Sequence, residues 1–351
     1  MSAVTEAPTT TAADVVELLR ADRTTRARSA LRTGVLVAVV GLLAAALAVA
    51  VGGSVQVPLP DVAGALLGRG NGLAQFVVVE TRLPRVLVAV LAGAAFGVAG
   101  SLYQRVVGNP LATPDVIGVS AGAGAGAVVV LVVIGTSGIA VQGGALAGAG
   151  IAAALVMLLG RRSGEGTYRL VLVGIGIAAG FSAVTSYLLA RADEATTTRA
   201  TRWLVGSLSS VTWSDVRVLA VTVVVGLSAL VLVAPHLEQV RLGDRVATGL
   251  GTRVGHVRLA VLLLGAVLAA LATSVTGAIA FVALVAGPVA ARLVPGSGAA
   301  FAGLVGADLL VVSDLVAQNA PAISPVPTGV VTALVGAPVL LHLLLRPRRT
   351  T

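Results

Sequence analysis

Apolar residues run along this chain in blocks of roughly twenty, separated by short stretches that hold most of its charge. Ten blocks stand out, at 34–54, 85–107, 114–135, 139–160, 169–190, 214–234, 256–275, 277–293, 299–317 and 328–346. A helix rises about 1.5 Å per residue, so most blocks reach the length needed to cross a hydrocarbon layer about 30 Å thick. The third and eighth are short or interrupted by glycine and proline, which predicts tilted or partly unwound segments. The pattern predicts an all-α, polytopic membrane protein with about ten transmembrane helices over 34–346, flanked by tails at 1–33 and 347–351. The stretch "VVELLRADRTTRARSALR" could pass for the basic start of a signal peptide. It is long, carries acidic residues and leads into a full-length block followed by further blocks, so a partly helical cytoplasmic tail is expected instead.

Composition supports the membrane reading. The chain is 57% hydrophobic and only 11% charged over 351 residues, too little polar surface to cover a water-soluble globule of this size. Its 24 basic residues are all arginine. A Walker A loop needs its lysine to reach nucleotide phosphates, so ATP-driven work would have to be done by another subunit. The formal charge of +9 does not point to nucleic acid, because the arginines lie between apolar blocks, with few aromatics among them. Cysteine is absent, which excludes disulfides and thiolate ligation of iron. His236, His256 and His342 have no paired spacing, so no metal site and no cofactor on this chain is expected.

Charge placement gives an orientation. With the N-terminus inside, 17 arginines fall on the inner side, and the outer side keeps Arg69, Arg82, Arg85, Arg191, Arg199, Arg202 and Arg217. Cytoplasmic loops retain arginine preferentially, and an even number of spans puts both termini inside. Within the blocks, "GAAFGVAG" from Gly93, "AGAGAGA" from Ala121 and "GGALAGAG" from Gly143 set small residues at spacings that let helix backbones touch.

Polar residues interrupt the apolar pattern at few points. "YQRVVGNPLATPD", residues 103–115, reads as a tight inner turn, since proline is tolerated in a helix's first turn and disruptive inside it. Gln104 lies one turn earlier, where an amide needs a partner or a cavity to line, so Gln104 and Asn109 either cap the turn or line a pathway. Asp308, in "VGADLLVVSD", is the acidic residue placed well inside a block, a position that is functional by default. A proton-coupled secondary transporter using Asp308 is therefore one alternative. A structural or sensory membrane protein is another, although no soluble signalling domain accompanies the spans.

The segment "RLPRVLVAVLAGAAFGVAGSLYQRVVGNPLATPDVIGVSAGAGAGA" (82–127) closely resembles the signature of the permease subunits of the iron-siderophore, haem and cobalamin ABC importers, the FecCD/BtuC type of type II importer. "RWLVGSLSSVTW", "LGDRVATGLGTRV", "GAIAFVALVAGPVAARLV" and "PVPTGVVTALVGAPVLLHLLL" continue the resemblance in order to residue 346. It implies the type II importer permease fold in a bacterial cytoplasmic (inner) membrane. Two permeases would flank a central pathway, with two cytoplasmic ATPase subunits carrying ATP and Mg below and an extracytoplasmic substrate-binding protein above. Arg82 and Arg85 would meet acidic residues of the binding protein. Asn109 and its turn would form one inner gate, with Gln104 on the pathway, and Thr167 with Tyr168 a second. Residues 242–254 would dock on the ATPase through two short helices broken by glycine, with Leu242, Gly243, Asp244, Arg245, Leu250 and Gly251 at the contact.

Three positions depart from the family pattern: Gln318 where an arginine is common, Pro325 where a glutamate is usual, and Gly287-Pro288-Val289-Ala290-Ala291 in the eighth span. They remove part of the outer docking charge, so a second, different permease is expected as partner, with a homodimer as the other possibility. The expected cargo is a ferric siderophore, with haem or cobalamin as alternatives, and the chain itself is not expected to be an enzyme.

Overall fold

The computed structural model of the protein describes residues 12–69, 71–160, 166–319 and 326–345, with side chains described except at 12–27, 116–117, 160, 166–171 and 343–344. Among the described residues every regular element is helical: α1 (Ala12–Val51), α2 (Leu59–Leu66), α3 (Gly72–Gln75), α4 (Leu83–Val107), α5 (Val119–Val129), α6 (Ile139–Gly160), α7 (Gly166–Arg191), α8 (Glu194–Val205), α9 (Trp213–Arg241), α10 (Asp244–Gly249), α11 (Val254–Thr276), α12 (Val282–Leu293), α13 (Ala299–Asn319) and α14 (Thr328–Leu345). Seven of the described helical segments are long and apolar enough to cross a membrane, and three shorter apolar helices, Val119–Ile134, Val282–Leu293 and Thr328–His342, fall on the remaining blocks. The short helices α2, α8 and α10 lie between them, and α3 begins the long segment Gly72–Val107.

The helix α4 is central, with α9, α11, α12 and α13 packed around it. Its glycines explain why neighbours come so close. A Cβ on Gly93 would strike the Gly306 carbonyl, one on Gly97 the Ala302 carbonyl, and one on Gly100 the Ala283 carbonyl. In lipid, apolar side chains gain little by leaving hydrocarbon, so backbone-to-backbone dispersion contact carries much of the association. The same device joins α5 to α6, where Gly122 and Gly126 face Gly148 and Gly144. These are the small-residue runs visible in the sequence.

Two prolines inside the bundle free a backbone carbonyl, and each freed carbonyl is taken by a side chain from another helix. Upstream of α4 the chain is π-helical over Phe76–Arg82, and Leu83 N–H bonds back to Val78 O. In that register the next donor, aimed at Val79 O, belongs to Pro84, which has no N–H. The Trp213 indole N–H supplies it at 3.2 Å. In α12, Pro288 cannot donate to Leu284 O, four residues back, and the Gln104 amide donates there at 3.0 Å.

The eighth block begins unwound, as its composition predicts. Residues 277–281 are not regular helix, and Phe281 adopts a left-handed backbone (φ 69°) as the residue before α12. Such irregular backbone is tolerated at membrane depth where protein buries it. Here Ser207 N–H bonds to Thr276 O at 2.9 Å, and Gly329 N–H to Gly206 O at 3.1 Å. The end of α8 and the start of α14 therefore close over this break.

Candidate functional site

At the end of the bundle that carries α8, three polar side chains converge on Asp314. The Arg85 guanidinium makes a bidentate ion pair with its carboxylate, Nε to Oδ2 at 2.9 Å and Nη2 to Oδ1 at 2.8 Å. The Gln318 amide donates to Oδ2 and the Thr328 hydroxyl to Oδ1, each at 2.7 Å. Asp314 is 2% exposed, so in a site with little water these bonds replace its hydration. The network joins α4, α13 and α14. Gln318, a departure from the family pattern, is a working member of it, whereas Pro325 lies outside the described residues.

Arg82 is turned inward as well. Its guanidinium donates to Val49 O (2.9 Å), Ala50 O (2.8 Å) and Val55 O (2.6 Å), at the carbonyl end of α1 and just beyond it. A helix C-terminus leaves carbonyls without intrahelical donors and carries partial negative charge, so a cation suits it. The side chains expected to reach a binding protein, Arg82 and Arg85, thus spend their donors inside the chain, and their guanidinium tips are not offered to a partner in this arrangement. Charge that does face outward at this end includes Arg191, Arg217 and, on α8, Glu194, Arg199 and Arg202, all exposed. Asp193 caps that helix, accepting from Thr196 N–H at 3.1 Å. Hydrogen bonding to the side chain and amide of Thr196 holds the Asp193 carboxyl below its usual range.

At the opposite end, which carries α10, the 103–115 stretch is a turn. Gly108 closes α4 in a left-handed conformation (φ 70°). The Asn109 side chain accepts from Leu111 N–H at 2.9 Å, and its carbonyl accepts from Ala112 N–H at 3.1 Å. Asn109 is exposed and organises the turn. Gln104 does not cap it: besides bonding Leu284 O, its amide oxygen lies where a side chain on Gly287 would be. Thr167 and Tyr168 fall in the first turn of α7, and their side chains lie outside the described residues.

Sequence reading overlooked Arg105. Its guanidinium donates to Ser101 Oγ at 3.1 Å, to Glu238 Oε1 at 3.2 Å and to the Ser297 carbonyl. Glu238 also pairs with Arg241 at 2.6 Å. One side chain on the central helix therefore grips the end of α9 and the α12–α13 connection, immediately before the Asn109 turn. An arginine one residue after a glutamine, at the end of an apolar block, was the available signal.

Beyond Arg241, residues 242–254 form a single short helix, α10, rather than two. Gly243 (φ 99°) and Gly251 (φ 84°) make the bends at its ends, while Gly249 continues the helix. Asp244 pairs with Arg258 at 2.9 Å, the Thr252 hydroxyl donates to the Gln239 side chain, and Ala247 is buried beneath. Arg245 is exposed. Leu242 just before the Gly243 bend, Val246 within α10 and Leu250 at its C-terminal cap are 63%, 50% and 59% exposed. This is an apolar stripe on a knob that is polar elsewhere.

Asp308 lies midway along α13 with its carboxylate against Gly41 of α1, where a Cβ would overlap it. Among the described residues no group of three or more histidine, cysteine or acidic side chains is placed to hold a metal.

Known proteins share this arrangement. The pattern of the FecCD transport family matches residues 36–346. The chain is 37% identical over 300 residues to the ferric enterobactin transport system permease protein FepG of Escherichia coli, covering 85% of this chain and 91% of that one. It is 35% identical over 284 residues to the vitamin B12 import system permease protein BtuC of Vibrio cholerae, covering 79% and 85%. The solved structure of a metal-chelate type ABC transporter in an inward-facing conformation superposes with a TM-score of 0.79 at 26% identity, covering 89% of this chain and 98% of that one.

Proposed function

Since the chain belongs to the FecCD transport family, and is thus a multi-span permease of the ABC iron-siderophore transport class, we propose that it carries a ferric siderophore inward across the bacterial cytoplasmic membrane, driven by ATP hydrolysis on separate subunits. The observation that carries the ATP-driven part is the exposed apolar stripe on α10. Three large aliphatic side chains exposed together on a glycine-hinged knob at an arginine-rich end mark a surface for another protein to cover. That partner is an ATPase subunit, one for each of two permeases, with ATP and Mg bound on the ATPases and not on this lysine-free chain. The α10 end then faces the cytoplasm, together with both termini.

The second permease is proposed to be a different chain, with a homodimer as the alternative, because this one lacks the family's usual outer arginine and glutamate at Gln318 and Pro325. An extracytoplasmic binding protein delivers the chelate at the α8 end. Arg82 and Arg85 shape the rim it meets by fixing α1, α13 and α14, and the exposed Arg199 and Arg202 supply steering charge. Inner gating is assigned to the Asn109 turn with Gln104 and to Thr167 and Tyr168 in the first turn of α7.

Movement of α10 reaches the Asn109 turn by a short mechanical path. The ATPase displaces α10; Thr252 and Gln239 tie α10 to α9; Glu238 on α9 holds Arg105 on α4, three residues before Gly108. Nucleotide binding can drive the permease between outward- and inward-facing states only if the coupled subunits fit the two states unequally, and this linkage gives α10 leverage on the gate. Because the iron arrives already coordinated, a pathway without thiols or clustered imidazoles suffices, and weak intrinsic binding of cargo is expected.

The test is competitive uptake of labelled ferric siderophores, haem and cobalamin in cells lacking only this chain. Loss of ferric siderophore uptake, restored by the chain and abolished with the ATPase, is the expected result. Uptake that survives ATPase removal but collapses with the proton gradient and with Asp308→Asn would instead identify a secondary transporter. Loss confined to haem or cobalamin would reassign the cargo and leave the permease reading intact.

A further inference from the structure

Helices α9 and α13 both pack on α4 but barely touch each other, which leaves a groove with α4 as its floor. Ala94 and Val98 form part of the floor, Val223 and Leu227 one wall, and Ala300 and Leu304 the other, around an apolar cavity of about 230 Å³ open along its side. The face of α9 beside it is mainly aliphatic: Val221, Val224, Val225, Val231 and Leu232 are all more than half exposed, and the one hydroxyl among them, Ser228, is bonded back to Val224 O at 2.8 Å. The outward face of α7 is more mixed, exposing Ser182, Ser186 and Tyr187 beside Leu172, Ile175 and Val184. With an apolar lining and a flanking face whose only hydroxyl is satisfied within its own helix, the groove is suited to open onto hydrocarbon. Water has no hydrogen-bond partners there, so an apolar chain fills it.

Charge defines one end of this groove. Along α4 the floor stripe Val90, Ala94, Val98 continues at helical spacing to Ser101 and Arg105. Along α9 the stripe Val223, Leu227 continues through Ala234 to Glu238 and Arg241. Arg105 is largely committed to Ser101, Glu238 and Ser297, and Glu238 is shared between Arg105 and Arg241. Two guanidiniums against one carboxylate leave one positive charge, carried by Arg241, whose side chain is 45% exposed.

We propose that the groove is a binding site for one anionic phospholipid, with an acyl chain lying between α9 and α13 and the phosphate beside Arg241. The site depends on the bundle spanning a bilayer and is independent of cargo, of orientation and of the ATPase. The lipid spans the same two elements that Arg105 ties together, so it wedges the helix leading to α10 against α13.

The experiment uses the full chain in nanodiscs of equal phosphatidylglycerol and phosphatidylcholine, with lipid retained per chain counted by native mass spectrometry. The wild type is expected to retain phosphatidylglycerol over phosphatidylcholine by about fivefold, the effect of roughly one basic residue at a membrane surface. Arg241→Gln removes that preference but keeps lipid in the groove. Ala300→Phe lowers retention of both lipids, whereas Val316→Phe, exposed elsewhere on α13, leaves it unchanged. If Ala300→Phe fails to fold, Leu227→Phe fills the groove from the opposite wall. Undiminished retention in a folded groove-filling variant, or an unchanged lipid preference in Arg241→Gln, overturns the proposal. None of these outcomes depends on uptake, so they stand apart from a failure of the transport reading.

Discussion

Asp314 accepts from Arg85, Gln318 and Thr328 while nearly excluded from solvent, so its neutralisation is expected to cost far more than loss of an exposed charge. Asp314→Asn leaves the Arg85 guanidinium half-buried without a counter-charge, a loss of about 3–5 kcal/mol measured by thermal unfolding in detergent. The double replacement Arg85→Met with Asp314→Leu recovers only part of it, because the apolar pair requires no desolvation of charge but leaves the Gln318 amide and the buried Thr328 hydroxyl without their acceptor. At Gln104 the prediction is a coupling. Gln104→Leu strips the donor from Leu284 O and costs about 1–3 kcal/mol. In a Pro288→Ala background the new backbone N–H takes that carbonyl, and the cost of Gln104→Leu falls by about 1 kcal/mol or more. Additive losses in the cycle would mean that Gln104 is held by something other than the proline-freed carbonyl.

Among the elements, α10 yields the sharpest functional prediction. Val246→Asp places a charge in the middle of the Leu242–Val246–Leu250 stripe while Ala247 still packs beneath, so the subunit folds normally but no longer retains the ATPase on co-purification. Glu238→Gln breaks the link to Arg105 without touching the stripe, and is expected to keep the ATPase bound while lowering uptake per ATP hydrolysed. The knob was legible in the sequence because a polar interval between two apolar blocks can hardly be anything else. Its single helix was not, because Gly243, Gly249 and Gly251 look alike as letters and only two of them bend the chain. Span positions were equally legible, with α6 matching its block at both ends. Helix α8 was not found from hydropathy, being polar on one face, although Asp193 followed three residues later by Thr196 was a usable start signal. The inward turn of Arg82 and Arg85 could not be read from spacing at all. It depends on where the ends of α1 and α13, distant in sequence, come to rest.

On the scale of the whole molecule, the proposed orientation predicts that a reporter fused after residue 345 is active on the cytoplasmic side and that one inserted between α8 and α9 is active outside. The reverse pattern would put α10 out of reach of any ATPase. The proposed importer also requires both a second permease and the ATPase for uptake in reconstituted vesicles. One feature of the fold bears on how the chain is made. Helix α4 leaves the ribosome early, yet Gln104, its glycine face and, apart from Ser101 within α4, Arg105 find their partners in α9, α12, α13 and the connection before α13. During synthesis it is an incomplete span with an unmatched amide and guanidinium, held in or beside the insertion machinery until the later half arrives. Nascent chains truncated before α12 are therefore expected to be cleared by membrane proteases, and chains that include α13 to survive, with half-lives in a pulse-chase rising abruptly between those two lengths.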